Sequence, residues 1–157
     1  MFDDIIAKYA LRFNVPEVWI KAVIRTESNF DPEAYRAEPQ IQDASYGLMQ
    51  LLYGTARGLG FTGSANDLYD PDTNIRLGTQ LLSDLQKRYG DDFRRIYSAY
   101  NSGNPDRWQT SSQVRANVER ALRNLEYIIK NEPLIVTGGA VGGIVLLVLL
   151  WYWGKRK

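Results

Sequence analysis

The sequence contains no histidine and no cysteine among its 157 residues. Their absence excludes Ser-His-Asp and Cys-His nucleophile systems, thioredoxin-like redox chemistry and the usual zinc ligand sets. An enzyme built from these residues is expected to rest its proton chemistry on carboxylates, with tyrosine or lysine as less common alternatives. No metal or organic cofactor is implied.

The sequence also lacks a concentrated block of basic residues. It has 19 basic and 18 acidic residues, and setting aside Lys155, Arg156 and Lys157 leaves 16 basic residues. A nucleic-acid-binding protein would favour a clustered basic face, with aromatic residues between the charges. We therefore expect no nucleic-acid partner.

One long stretch, from Leu134 to Trp153, carries no charge at all. As a helix it would extend roughly 30 Å, about the thickness of one hydrocarbon core. Three aromatic residues end this stretch and a basic tail follows, which is typical of a membrane interface. We expect no secretory signal before the domain, because the first residues are amphipathic and acidic. The sequence predicts a soluble domain over residues 1–132 and a membrane anchor over residues 133–157, the alternative being a buried core helix.

Within this stretch, two pairs of glycines lie four residues apart. Gly138/Gly142 and Gly139/Gly143 form small-xxx-small ridges, which permit close helix pairing in lipid. The plainer interpretation is a transmembrane helix that tolerates glycine. Both interpretations remain open.

The soluble part has the apolar spacing of an all-helical domain. Residues 29–45 are polar and predict a long loop, residues 46–59 predict short helical pieces, and no segment alternates convincingly as a strand. Asn14 with Pro16, and Asn74, are expected to begin helices. The predicted helices span residues 2–13, 16–27, 74–90, 91–101 and 112–130.

Glu27 is the most informative residue of the second predicted helix. Trp19, Val23 and Glu27 are four residues apart, so they form one ridge with Ile20 and Ile24 beside it. An apolar wall raises the pKa of a carboxyl group, and the negative end of a helix acts in the same direction. Both effects favour a general acid, although the helix pattern alone is better explained by a solvated residue in a last turn.

Two later segments each place an amide side chain beside a glycine, which lets a ligand approach the backbone. Each is common in turns when taken alone, and their order after a Glu-Ser step makes them informative. Together the segments resemble the signature of SLT-type lytic transglycosylases, whose fold is related to goose-type lysozyme. The segments are Glu27-Ser28-Asn29-Phe30-Asp31-Pro32, Tyr46-Gly47-Leu48-Met49-Gln50 and Ala99-Tyr100-Asn101-Ser102-Gly103, with further matches at residues 55–60 and 68–78.

The resemblance implies an all-α, lysozyme-like domain that binds peptidoglycan glycan strands. It implies cleavage of the β-1,4 bond between N-acetylmuramic acid and N-acetylglucosamine, with release of a 1,6-anhydro sugar. By that resemblance Glu27 protonates the leaving oxygen and then takes the C6 hydroxyl proton. The substrate-binding residues it implies are Ser28, Gly47, Met49, Gln50, Tyr100 and Asn101. By the same resemblance Ser28 orients the carboxyl or the substrate, Met49 and Gln50 line the cleft, and Tyr100 and Asn101 hold the acid and an acetamido group.

The sequence departs from the common family pattern between Pro32 and Tyr46. The loop there is longer and contains Glu33, Glu38 and Asp43. A second carboxylate could activate water and make the enzyme an inverting hydrolase. The alternative is that these acids only solubilise or cap the loop. A non-catalytic wall-binding module is the rival of another class, against which the intact Glu-Ser step counts.

The membrane and the domain together raise a question of location. A positive tail favours the cytoplasmic side, which would place the domain across the membrane with no signal to carry it there. One resolution is a bacteriophage protein inserted by its tail into a virion membrane or the bacterial inner membrane. This layout is similar to that of virion-associated transglycosylases of membrane-containing phages.

Overall fold

The computed structural model describes residues 2–131 of the chain. This part folds into six α-helices, three short strands and three 3-10 turns. The helices are α1 (Asp3–Phe13), α2 (Glu17–Glu27), α3 (Tyr53–Gly58), α4 (Pro71–Tyr89), α5 (Phe93–Ser102) and α6 (Ser112–Asn131). The strands are β1 (Tyr35–Glu38), β2 (Asp43–Tyr46) and β3 (Leu51–Leu52), and the 3-10 turns are Pro39–Ile41, Ala65–Tyr69 and Arg107–Gln109.

Helix α2 lies at the centre of the core. Its residues Trp19, Ile20, Val23 and Ile24 are fully buried, and it packs against α1 and along α6. Helix α6 presents a buried apolar stripe that includes Val118 and continues with a period of three to four residues. The buried side chains of all the helices join in one core, so the mostly helical fold follows from the predicted apolar faces.

The prediction of an all-helical domain is wrong between residues 35 and 52. This segment forms a small antiparallel sheet with the strand order β1-β2-β3, where the sequence predicted a loop followed by helical pieces. Strand β1 is mostly exposed to solvent on both faces. It therefore has no need of the alternating apolar residues by which strands are recognised in a sequence.

Two predicted helix starts are also wrong. Asn14 ends α1 in a left-handed conformation, and Pro16 directly precedes α2. Asp70 caps α4 by accepting a hydrogen bond from the Thr73 N–H, and Pro71 fills the first helical position, where its missing N–H costs nothing. Asn74, the predicted cap, is buried one turn inside α4. Its side-chain amide is hydrogen-bonded to the main chain of Tyr46, Met49 and Leu68 and does not cap the helix.

The predicted membrane span from Leu134 to Trp153 and the Gly138/Gly142 ridge lie outside the described residues. Among the helices of residues 2–131, none combines the length and the apolarity needed to cross a bilayer.

Candidate active site

Glu27 is the last residue of α2, and its side chain lines a cleft. Its Oε1 atom accepts a hydrogen bond from the hydroxyl of Tyr97 at 2.6 Å. Val23, one turn earlier, and Trp19, two turns earlier, are fully buried. The apolar ridge inferred from the sequence therefore leads from the core to a carboxyl group at the cleft.

Burial raises the pKa of the Glu27 carboxyl above its ordinary value. The Tyr97 hydrogen bond and the positive charges of Arg36 and Arg120 lower this pKa, and the negative charge of Glu38 raises it. Desolvation is the largest of these effects, so the net shift is upward. Glu27 thus keeps its proton to a higher pH than an exposed glutamate, as a general acid requires.

Tyr97 and Tyr100, one turn apart on α5, stack with ring centroids 6.2 Å apart. Burial and the nearby Glu27 carboxylate raise the pKa of both phenols, so both hydroxyls stay protonated as hydrogen-bond donors. The sequence reasoning proposed that Tyr100 holds the acid, but Tyr97 makes that contact. The Tyr100 hydroxyl instead donates to the main-chain carbonyl of Met49 at 2.7 Å. The three-residue spacing of the two tyrosines on one helix was the signal for Tyr97.

Ser28 connects the end of α2 to the segment 47–50. Its hydroxyl lies 2.7 Å from the carbonyl oxygen of Leu48 and 3.2 Å from that of Ile24. Both neighbours are main-chain acceptors, so the hydroxyl is engaged within the protein. Ser28 thus fixes the helix end that carries Glu27 through these main-chain acceptors.

Gly47 is required by the fold itself. Its φ is +68°, and a Cβ atom built there would lie 2.6 Å from both Asn74 Nδ2 and the Leu68 carbonyl oxygen. An L side chain would be strained in that conformation and would also displace Asn74. The glycine thus permits Asn74 of α4 to pack closely on the backbone at Gly47. The sequence had suggested that the glycine leaves room for a ligand.

The side chain of Met49 does not line the cleft, contrary to the expectation from the resemblance. It is fully buried and packs directly on Gly78 of α4. Gln50 does line the cleft, and its side-chain amide donates to the carbonyl oxygen of Ala34 at 3.0 Å. Met49 therefore contributes its main-chain carbonyl, the acceptor for Tyr100, and Gln50 contributes its side chain.

The cleft has a volume of about 410 Å³ and receives residues from the sheet, the end of α2, α5 and α6. Asn101, a predicted site residue, lines it and accepts a hydrogen bond from the Asn117 amide at 3.2 Å. Gln113 and Asn117 of α6 could not be found from the sequence, because polar residues on the outer face of a helix carry no periodic signal. Ser45 could not be found because strand β2 was not predicted. The lining residues are Glu27, Arg36, Glu38, Ile41, Ser45, Gln50, Leu52, Tyr100, Asn101, Gln113 and Asn117.

The three loop acids have different surroundings. Asp43 accepts hydrogen bonds from the N–H groups of Ala44 and Gly54 at 2.7 and 2.9 Å, which is a capping role. Glu33 is exposed and is not among the lining residues. Glu38 lines the cleft and is ion-paired with Arg36 at 2.5 Å. Among the described residues, no cluster of acidic side chains could hold a metal ion.

The sequence and the fold are similar to those of known transglycosylases. The family described as "Transglycosylase SLT domain" matches residues 4–122. A transglycosylase of Enterobacteria phage PRD1 is 26% identical over 137 residues, covering 87% of this chain and 48% of the phage protein. The soluble lytic murein transglycosylase of Escherichia coli is 31% identical over 117 residues, covering 69% of this chain and 17% of that protein. The chain thus spans less than half the length of either relative.

Solved structures agree with the sequence relatives. An inactive glutamate-to-glutamine mutant of the lytic transglycosylase Slt from Pseudomonas aeruginosa matches with a TM-score of 0.68 and 27% identity, covering 81% of this chain and 24% of that one. The 70 kDa soluble lytic transglycosylase of Escherichia coli matches with a TM-score of 0.58 and 24% identity, over 99% of this chain and 25% of that one. The fold is the mostly helical, lysozyme-like SLT fold, and the chain belongs to the transglycosylase SLT domain family.

Proposed function

We propose that this protein is a peptidoglycan lytic transglycosylase that cleaves the bond between N-acetylmuramic acid and N-acetylglucosamine. The observation that carries the proposal is the half-buried Glu27 carboxyl, which lines a 410 Å³ cleft and accepts a hydrogen bond from Tyr97 at 2.6 Å. A cleft of this size accommodates a small number of sugar rings. The lytic transglycosylases among its relatives support the same reaction.

In the first step the protonated Glu27 donates its proton to the glycosidic oxygen as the bond from that oxygen to C1 of the muramic acid breaks. The Tyr97 hydroxyl and the positive charges of Arg36 and Arg120 then stabilise the carboxylate that remains. This carboxylate takes the proton of the C6 hydroxyl as O6 bonds to C1. The 1,6-anhydro ring forms, Glu27 is protonated again, and no water is consumed.

The other proposed site residues act around this acid. Asn101 and Gln50 present amides to the cleft, where an acetamido group needs a donor and an acceptor. Tyr100 holds the main chain of Met49, and Ser28 holds the end of α2. Gly47 allows that segment to approach α4. Tyr100, Met49, Ser28 and Gly47 therefore position the site through backbone contacts.

Mass spectrometry of fragments released from purified cell-wall sacculi tests the proposal. We expect anhydro-muropeptides from the wild type and none from Glu27→Gln, in agreement with the inactive glutamate-to-glutamine mutant of the Pseudomonas relative. Glu119→Gln on the exposed face of α6 is the matched control. Full activity of Glu27→Gln would refute the assignment, and binding to sacculi without release would favour a non-catalytic module.

A hydrolase is the second candidate, because Glu38 is the one loop acid that lines the cleft together with Glu27. An inverting enzyme would use such a carboxylate to activate water. The same digestion in ¹⁸O-labelled water separates the two reactions. Reducing ends that carry ¹⁸O and are lost in Glu38→Gln would support the hydrolase, whereas unlabelled anhydro products in both proteins would exclude it.

We further propose that residues 1–132 form the enzyme domain and residues 133–157 a single-pass membrane anchor. The uncharged stretch from Leu134 to Trp153, its aromatic end and the basic tail support the anchor. The phage transglycosylase among the relatives supports a bacteriophage origin. Protease protection in intact particles or inverted vesicles tests the orientation, and release of the protein by alkaline carbonate washing would count against the anchor.

A further inference from the structure

Apart from Glu27, the charged residues that line the cleft all come from strand β1. Arg36 and Glu38 lie there, whereas the residues supplied by α5 and α6 are uncharged. The lining therefore has a charged sheet side and a neutral helix side. The sheet side consists of Arg36, Glu38, Ile41, Ser45 and Leu52, and the helix side of Tyr100, Asn101, Gln113 and Asn117.

The backbone of the sheet fixes Arg36 towards the cleft. Arg36 is paired with Ser45, and Ser45 with Leu52, so these three side chains share one face of the sheet. Glu38 lies two residues further along β1 and therefore points to the same face. The position of the Arg36–Glu38 pair thus follows from strand register, even though its two side chains are long.

The guanidinium of Arg36 keeps most of its donors available. Its Nε atom contacts Glu38 Oε1 at 2.5 Å, and the side chain is 56% exposed. The two terminal nitrogens have no hydrogen-bond partner within residues 2–131. A guanidinium offers a planar pair of N–H groups that matches the two oxygens of a carboxylate.

We propose that Arg36 binds a carboxylate carried by the muramic acid of the glycan substrate, so that the cleft selects acidic glycans over neutral ones. This inference rests on the proposed function. Muramic acid carries a lactyl carboxyl group, which is either free or linked to a peptide that has carboxylates of its own. A polymer of N-acetylglucosamine alone has no such group, although its rings would fit the same amides.

Glu38 competes with the substrate for Arg36. Its carboxylate neutralises the guanidinium in the empty cleft and repels an incoming anion. Arg36→Gln and Glu38→Gln should therefore shift the affinity for acidic glycans in opposite directions. Under the hydrolase hypothesis Glu38 is needed for catalysis, so Glu38→Gln would lower the activity. The effect of the same substitution on the binding of acidic strands tests only the inference about Arg36.

The affinity of soluble glycans for the full-length protein, measured in a Glu27→Gln background, tests the proposal without interference from cleavage. The ligands are peptide-bearing glycan strands, strands stripped of peptide by an amidase, and neutral N-acetylglucosamine oligomers. We expect Arg36→Gln to weaken binding of acidic strands about tenfold to a hundredfold, the effect of losing a hydrogen-bonded charge. Its effect on the neutral oligomer should be several-fold smaller.

The remaining variants separate charge from geometry. Arg36→Lys should bind acidic strands with intermediate affinity, because it keeps the charge and loses the planar fork. Glu38→Gln should bind them more tightly than the parent. Arg57→Gln, an exposed arginine on α3, is the control and should match the parent on every ligand.

The outcome identifies the source of the carboxylate. Dependence on Arg36 with peptide-bearing strands assigns the carboxylate to the peptide, because the lactyl group of those strands is an amide. Dependence that appears only with stripped strands assigns it to the lactyl group, whose carboxylate the amidase sets free. An equal loss on acidic and neutral glycans, or no loss on either, overturns the proposal. Wild-type protein that binds acidic strands through Arg36 but releases no fragments would contradict the proposed function and leave this inference standing.

Discussion

The side chain of Asn74 holds together the loop that shapes the candidate site. It is fully buried, its Oδ1 accepts from the Met49 N–H at 2.8 Å, and its Nδ2 donates to the carbonyl oxygens of Tyr46 at 2.9 Å and Leu68 at 2.7 Å. Asn74→Ala would leave three backbone groups without these partners. At about 1–3 kcal/mol for each buried unpaired group, the loss is about 3–9 kcal/mol. A domain of this size is stable by only about 5–15 kcal/mol.

Urea unfolding followed by tryptophan fluorescence measures this loss. Asn66→Ala, on an exposed 3-10 turn, is the matched control and should change stability by less than about 0.5 kcal/mol. Asn74→Asp adds a second check, because its carboxyl group would face two carbonyl oxygens and could donate to one only when protonated. That variant should therefore regain part of its stability as the pH falls. A loss below about 1 kcal/mol for Asn74→Ala would refute the reasoning.

Two further predictions concern the acid. Burial raises the pKa of Glu27 above its ordinary value of 4.5. Between 4.5 and the raised pKa the folded state therefore binds more protons than the unfolded state, and wild-type stability falls as the pH rises through this window. Glu27→Gln should therefore be more stable than wild type at pH 8 and equal to it well below pH 4.5, as urea unfolding at both values would show; equal stability at pH 8 would contradict the shift. Tyr97→Phe removes a hydrogen bond that lowers the Glu27 pKa, so the alkaline limb of the pH–activity profile should move to higher pH and the rate should fall about tenfold, whereas an unmoved limb would argue against the contact.

Most of the helices could be predicted from the sequence because each buries one apolar face. Helix α2 ends at Glu27 as predicted, and α6 has its predicted buried stripe. The sheet could not be predicted, because β1 is exposed and its four residues carry no alternation. The long polar segment before Tyr46 therefore looked like a loop, and the position of Arg36 beside the cleft could not be inferred.

The site residues show the same division between local and tertiary signals. The helix spacing that placed Glu27 beyond an apolar ridge depends only on neighbours along the chain. Met49 looked like a lining residue because its segment is near the acid, but whether a side chain enters the core or the cleft depends on what packs above it, here Gly78. The helix spacing placed Tyr97 beside Tyr100, but it could not show which of the two reaches Glu27, a residue 70 positions earlier in the chain.

Hydrogen bonds from three helices converge on two consecutive residues, and this convergence explains why the segment 47–50 matters to an acid it does not contact. Ser28 at the end of α2 bonds the Leu48 carbonyl, Asn74 of α4 bonds the Met49 N–H, and Tyr100 of α5 bonds the Met49 carbonyl.

All three bonds end on the main chain of residues 48–49, while the Leu48 and Met49 side chains are fully buried. The core therefore selects these two side chains, and their backbone sets the separation between α2 and α5. That separation determines whether the Tyr97 hydroxyl reaches Glu27. The chemistry of the acid thus depends on a segment whose own side chains take no part in it.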